Sequence, residues 1–131
     1  MNKFLRNLGI YFFGGLLGSI GKIATIYLFN SYGIYKIFTS LKISLATYNI
    51  FYLLLTGGLW GYLFFLPFKN ILFLRGFASG ILYSLFTLLY YFPTHGGGFF
   101  GINYGSLIWI YIILLNTIWG IIAEIYINSV K

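Results

Sequence analysis

Residues 76 to 123 of this chain contain no Asp, Glu, Lys or Arg, and the only acid in the whole sequence, Glu124, follows directly after them. A soluble domain carries charges on roughly a quarter of its residues, because charged side chains cover its surface. A charge-free run of this length leaves no such surface. The sequence therefore predicts that the outside of the folded chain faces lipid.

Composition and length predict how many times the chain crosses the membrane. Of the 131 residues, 60% are hydrophobic and 7% are charged. A membrane-spanning helix needs about 20 apolar residues, so four spans with short connections use almost the whole chain. Pro67 and Pro93 each mark the end of an apolar run, since proline lacks the backbone donor that a helix needs. We predict an all-α, single-domain (1–131), multi-pass bundle with spans at about 8–29, 45–66, 71–92 and 106–128.

The basic residues predict the orientation of that bundle. The net charge is +7, but Lys and Arg occur singly between apolar stretches, and nucleic-acid binding requires them clustered. We therefore expect the lipid bilayer, and no nucleic acid, as the partner of these charges. Cytoplasmic loops are enriched in Lys and Arg. One predicted side carries Lys3, Arg6, Lys69, Arg75 and Lys131, and the other carries Lys36 and Lys42. This bias predicts a cell (inner) membrane protein with both termini cytoplasmic.

Small residues predict how the helices pack. Gly-x-x-x-Gly pairs occur in the first three predicted spans, and the fourth has a single glycine close to Asn116 and Thr117. In lipid, hydrophobic burial does little to hold helices together. Van der Waals packing at close backbone distance stabilises the contact instead, and glycine permits that distance. The Gly-x-x-x-Gly faces therefore have two possible roles. They pack the four helices of one chain together, or they form a homodimer or dock on a larger membrane complex. The predicted packing positions are Gly14, Gly18, Gly57, Gly61, Gly76, Gly80 and Gly120.

Few polar side chains lie within the predicted spans, and they are the candidate functional residues. An ammonium deep in lipid often marks a pathway, but the long stem of Lys22 could also carry its charge to the outer headgroups. Asn116 needs a partner in lipid and should face the bundle, as should Thr117. Glu124 and Arg75 are predicted at similar depth, so an ion pair between adjacent helices is one hypothesis. A proton-coupling role for Glu124 is the other.

Catalysis is not expected. The chain has no Cys, one acid and one His, so a two-carboxylate mechanism, a Ser-His-Asp triad and a three-ligand zinc site all lack parts. Thr94-His-Gly-Gly-Gly98 matches an oxyanion-hole pattern of esterases, but the G-x-S-x-G elbow that this chemistry needs is missing. We predict no enzyme, no cofactor and no metal, and interpret residues 94–105 as a glycine-rich outer loop.

One segment resembles a known family. Gly14-Gly-Leu-Leu-Gly-Ser-Ile-Gly-Lys22 is similar to the first-span pattern GGxxGAxxR of the fluoride-channel family, whose members have a similar length and four spans. The later signatures of that family, a GTLxVN stretch and a break rich in Thr, Phe and Ser in the third span, do not occur in this chain. No functional residue is therefore carried over from the resemblance.

Two functional hypotheses follow. The first is a non-catalytic membrane protein that packs against itself or a larger complex through its glycine faces. The second is a small oligomeric channel or transporter for an ion or lipid-linked substrate, with polar residues along its pathway: Lys22, Asn116, Thr117 and Glu124. A pathway requires Lys22 or Glu124 to face an open interior. Packing alone places them at headgroup depth or in a closed ion pair.

Overall fold

The computed structural model describes residues 3–39, 45–65 and 74–130, and these residues form helices and turns without any strand. The all-α prediction is confirmed for this part of the chain. We number the four main helices in chain order. They are α1 (Lys3–Tyr32), α2 (Thr47–Trp60), α3 (Leu74–Phe86) and α4 (Ile108–Val130).

Two of these helices continue in tighter or wider turns. A 3-10 segment, Gly61–Phe65, extends α2. A π turn, Thr87–Tyr91, extends α3, and a last α-helical turn, Phe92–Thr94, follows it. Two further 3-10 segments occupy Ile34–Ile37 and Phe99–Tyr104. Helical backbone thus runs without a break over residues 47–65 and 74–94.

The third helix does not end where the sequence predicts. Pro93 was expected to stop it, yet helical geometry continues to Thr94. The π turn directly before Pro93 explains this, because its backbone bonds reach one residue farther, with the Phe92 N–H bonded to the Thr87 carbonyl. Such a turn shifts the bonding register just where proline supplies no donor.

The other described boundaries differ from the prediction by a similar or larger amount. The first helix begins earlier and ends later than the predicted span 8–29, and α4 lies within two residues of the predicted 106–128. The far end of the second predicted span at Leu66, the start of the third at Ile71, and the basic residues Lys42, Lys69 and Lys131 lie outside the described residues.

Helix α4 lies at the centre of the fold. It packs against both α1 and α3, and α1 also packs against α2. The Arg6 guanidinium donates to the Val130 carbonyl (3.3 Å), so the start of α1 meets the end of α4. At the opposite end, the Thr39 hydroxyl donates to the Tyr104 carbonyl (2.6 Å). The two helices are therefore antiparallel.

Two of the described helices, α1 and α4, are long and apolar enough to cross a membrane by length and composition. Helix α2, with 14 residues, and α3, with 13, are shorter than a span. The predicted four-span bundle is therefore not confirmed and remains a prediction.

The predicted outer loop folds into a small cap. Gly97 and Gly101 are buried against the rings of Tyr104 and Phe92, where a Cβ atom would clash. The backbone has positive φ at Gly98 (79°) and Gly101 (67°), which glycine adopts without strain. This cap covers one end of the α3–α4 pair.

Candidate functional site

Glycine faces join α3 and α4 at backbone distance. A Cβ atom on Gly80 would lie 2.5 Å from the Asn116 carbonyl oxygen, and one on Gly120 would clash with the Gly76 carbonyl. The obstructing atoms belong to the backbone and cannot rotate away. Gly76, Gly80 and Gly120 therefore pack inside the chain.

The first helix contacts α4 through another pair of glycines. A Cβ atom on Gly14 would lie 3.0 Å from Ile127 Cγ1, and one on Gly18 would clash with the Trp119 carbonyl. Trp119 is fully buried, and its indole N–H donates to the Gly15 carbonyl (3.0 Å). This bond satisfies the polar atom of the largest buried side chain.

The glycines of the second span face α1. A Cβ atom on Gly57 would clash with the Ser19 hydroxyl, and one on Gly61 would clash with the Tyr11 carbonyl. The Ser19 hydroxyl also donates to the Leu53 carbonyl (2.9 Å). All seven glycines predicted as packing positions thus contact another helix of the same chain.

These close contacts place a polar network across three helices. Lys22 Nζ on α1 donates to Asn116 Oδ1 on α4 (2.7 Å), and Asn116 Nδ2 donates to Ser84 Oγ on α3 (3.1 Å). The Ser84 hydroxyl in turn donates to the Gly80 carbonyl (2.8 Å). Asn116 is only 1% exposed and faces the bundle, as its amide requires. The network fixes the position of the Lys22 ammonium.

Lys22 does not reach the end of its helix. Its side chain is 8% exposed, and Nζ lies 4.5 Å from the centre of the Tyr83 ring. The residue is roughly 7 Å past the middle of α1 by helical rise. The expectation that the stem carries its charge to headgroup depth is therefore wrong, because Asn116 and the Tyr83 ring hold the ammonium inside the bundle.

The ammonium lines a cavity of about 480 Å³. Helices α1 and α4 form one side of it, and α2 and α3, with its π turn, form the rest. The wall is mostly aromatic and aliphatic, with a few hydroxyl and amide groups. Its residues are Lys22, Ile26, Asn49, Tyr52, Leu53, Thr56, Trp60, Tyr83, Phe86, Thr87, Tyr91, Phe92, Ile108, Ile112 and Leu115.

The exposure of the lining residues indicates that the cavity opens between α2 and α3. Its lining residues on α1 and α4, such as Ile26 and Leu115, are buried. Tyr52 on α2 and Phe86 on α3 line the same cavity and are 45% and 39% exposed. Rings of the two helices also contact each other across this gap: the ring centre of Trp60 lies 5.0 Å from those of Tyr83 and Phe86, and that of Tyr52 lies 6.2 Å from Tyr91. The entrance is therefore lateral.

The predicted ion pair between Arg75 and Glu124 is absent from the structure. Glu124 Oε2 accepts the backbone N–H of Gly76 (2.9 Å), whereas Arg75 Nη2 donates to the Phe64 carbonyl (3.2 Å). Consecutive helical residues point about 100° apart. Because Gly76 faces α4, the neighbouring Arg75 points to the side, toward the segment after α2. The acid and the base therefore take different partners.

Thr117 lies outside the cavity. Its hydroxyl is buried and finds no hydrogen-bond partner among the described residues. Lys22 and Asn116 come together as the pathway hypothesis required, but Thr117 does not join them. Sequence reasoning missed Ser84 and Tyr83. The position of Ser84, four residues after Gly80 and eight after Gly76, places it on the same helical face and could have identified it.

No known protein family, curated protein or solved structure matches the chain.

Proposed function

We propose that this chain is a four-span integral membrane protein that binds an anion at Lys22 and acts in transport. The observation that carries the proposal is the buried Lys22 ammonium, which lines an open cavity and has a neutral amide as its hydrogen-bond acceptor. The proposal follows the second hypothesis from the sequence. Its site is now Lys22 on the cavity wall, held in place by Asn116, without Thr117.

Charge balance supports an anion as the ligand. Glu124 is the only acid of the chain, and it lies about 12 Å along α4 from Asn116 by helical rise. A buried cation without a counter-ion is strongly unfavourable in a medium of low dielectric constant. One ammonium N–H is used by Asn116, which leaves two donors for a ligand. An anion in the cavity would supply the missing negative charge.

The dimensions and exterior of the bundle support four spans. The unbroken helical segments 47–65 and 74–94 are each roughly 30 Å long by helical rise, which matches the hydrocarbon core. Large apolar side chains such as Phe13, Leu55, Phe77 and Ile125 are exposed on all four helices. The exposed charges Arg6 and Lys36 lie near opposite ends of α1. We propose the cell membrane as the location, with both termini cytoplasmic.

The glycine contacts favour the binding function over the first hypothesis. A Gly-x-x-x-Gly face can dock on a partner only if the other helices of this chain leave that face uncovered. All seven predicted packing glycines contact a helix of the same chain. A partner complex would therefore have to use other surfaces.

Rapid solution exchange on reconstituted vesicles tests the proposal. Vesicles containing the protein are adsorbed on a solid-supported membrane, and gluconate is replaced by chloride, thiocyanate, acetate, benzoate or octanoate. Binding of an anion inside the membrane moves charge and produces a transient current. We expect at least one anion to give this current with the unmodified chain and Lys22→Gln to abolish it, since the ammonium is the binding charge.

Lys36→Gln is the matched control, because Lys36 is exposed and lies outside the cavity. It removes the same charge and should leave the current unchanged. Protein-free vesicles give the background for benzoate and octanoate. The absence of any current that depends on Lys22, across all five anions, together with no binding of a long-chain acid that depends on Lys22, would contradict the proposed function.

A further inference from the structure

We infer that the natural ligand is an amphiphilic monoanion of the membrane, with one anionic headgroup at Lys22 and an acyl chain along the aromatic wall. The inference rests on the proposed function, since it names the class of anion that the same cavity takes. The size, charge and entrance of the cavity each support it separately.

The charge of the site favours a single negative charge. Lys22 is the only charged side chain that lines the cavity among the described residues. A second negative charge on the ligand would be left without compensation in an apolar bundle, at a high desolvation cost. A carboxylate head matches one ammonium. It can accept both N–H groups that Asn116 leaves unused.

The walls of the site favour an apolar body on the ligand. A volume of about 480 Å³ falls within the roughly 300–1,000 Å³ typical of pockets for organic molecules. It is far larger than a compact inorganic ion requires. Beyond Lys22 the cavity continues between Trp60, Phe86, Tyr91 and Ile112. These side chains stabilise a hydrocarbon chain and do not replace the hydration shell of a small ion.

The lateral entrance favours a ligand that is already in the bilayer. The exposed lining residues, Tyr52 and Phe86, lie on α2 and α3, and the α1–α4 side is closed by buried residues. In a four-span arrangement this entrance opens to the hydrocarbon core. A membrane-dissolved amphiphile reaches Lys22 through it without crossing an aqueous phase.

Quenching of Trp60 tests the inference. The protein is placed in nanodiscs of zwitterionic lipid and titrated with 9,10-dibromostearate, whose bromines quench nearby tryptophan. The methyl ester of the same acid is the uncharged control ligand. We expect saturable quenching by the acid, and only the linear quenching of an unbound lipid by the ester. Trp109, which is 40% exposed, contributes to the linear part, whereas Trp119, whose ring centre lies 5.1 Å from that of the cavity-lining Tyr83, adds to the saturable part.

Three variants separate binding at the site from partition into lipid. Trp60→Phe should reduce the amplitude of the saturable component, because Trp60 lines the cavity and Trp119 does not. Lys22→Gln should raise the dissociation constant of the saturable component by about thirtyfold or more, as expected for loss of one partner of a buried charge pair. Lys36→Gln should leave it unchanged. Thr87→Phe, which adds a ring to the cavity wall and leaves the Lys22 side chain itself unchanged, should abolish the saturable component and serves as a second test if Lys22→Gln does not fold.

The outcomes distinguish the inference from the proposed function. Equal saturable quenching by the ester, or a saturable amplitude that Trp60→Phe leaves unchanged, overturns the inference. If chloride or thiocyanate gives a current that depends on Lys22 while dibromostearate does not bind, the inference fails and the anion function stands. If the current depends on Lys22 and saturates with benzoate, while dibromostearate gives no saturable quenching, the ligand is a water-soluble acid and the inference is overturned. If no anion acts through Lys22 in either experiment, both fail.

Discussion

The only acid of the chain stabilises a helix contact without an ion pair. Glu124 is 1% exposed, and its Oε2 accepts the Gly76 N–H, while Oε1 has no partner among the described residues. Arg75 instead contacts Phe64, with its guanidinium carbon 5.4 Å from the ring centre. The carboxylate and the guanidinium thus fasten α3 to two different segments, α4 and the end of α2.

These separate partners predict additive effects of substitution. Arg75→Ala should lower the free energy of unfolding by about 1–2 kcal/mol through loss of a charged hydrogen bond. Glu124→Gln keeps an acceptor for Gly76 N–H and should change it by less than about 1 kcal/mol. The double variant should equal the sum within about 0.5 kcal/mol. Unfolding in mixed micelles measures all three, and relief of the Arg75→Ala loss by Glu124→Gln would show a direct pair.

At the scale of the helices, glycine contacts decide which side chains meet. Asn116 reaches both Lys22 and Ser84 because α1 and α3 each approach α4 closely, at Gly18 and Gly80. A bulkier residue at either position would separate the helices. The network at Lys22 would then lose one of its bonds. Packing glycines and polar site are therefore one structural unit.

A pair of alanine substitutions tests this dependence. Gly80→Ala places a Cβ atom 2.5 Å from the Asn116 carbonyl oxygen, so we expect a loss of about 1–3 kcal/mol in the free energy of unfolding. Gly9→Ala is the matched control on α1, since its Cβ atom would meet nothing within 4 Å. It should be neutral or stabilise by up to about 1 kcal/mol, because alanine favours the helix. Equal effects of the two changes would show that α3 and α4 are not in backbone contact.

For the whole molecule, the antiparallel pair α1 and α4 brings the two ends of the described chain together. Arg6 contacts Val130 at one end, and Thr39 contacts Tyr104 at the other. The cap formed by residues 94–105 therefore lies opposite the termini. With the positive-inside bias, this geometry predicts a cytoplasmic N-terminus and C-terminus and an external cap.

Reporter fusions measure this topology. A reporter that is active only in the cytoplasm should be active when fused after Lys131. It should be inactive when inserted at Gly96, an exposed position in the cap where a Cβ atom meets nothing within 4 Å. A reporter active only outside should give the reverse. An external C-terminus would overturn the proposed orientation.

The amino-acid sequence by itself determined the helical class, the apolar exterior and the residues available for polar contacts. A charge-free run, glycine spacing and proline positions are local features, and they act through backbone sterics and hydration. It predicted both ends of helix α4 and the end of the third helical segment within two residues, but the π turn before Pro93 does not show in composition.

Only the tertiary structure decided the partners of Lys22, Glu124 and Arg75. A buried charge can be stabilised by a headgroup, an ion pair or a neutral dipole, and sequence spacing allows all three. Which of these partners a charge takes depends on which helix faces meet. The rotation of each helix about its own axis decides this, and a fraction of a turn is enough to change it. The rotation of α3 turns Gly76 toward α4 and Arg75 away, and the close approach of α1 holds Lys22 at Asn116 beside the cavity.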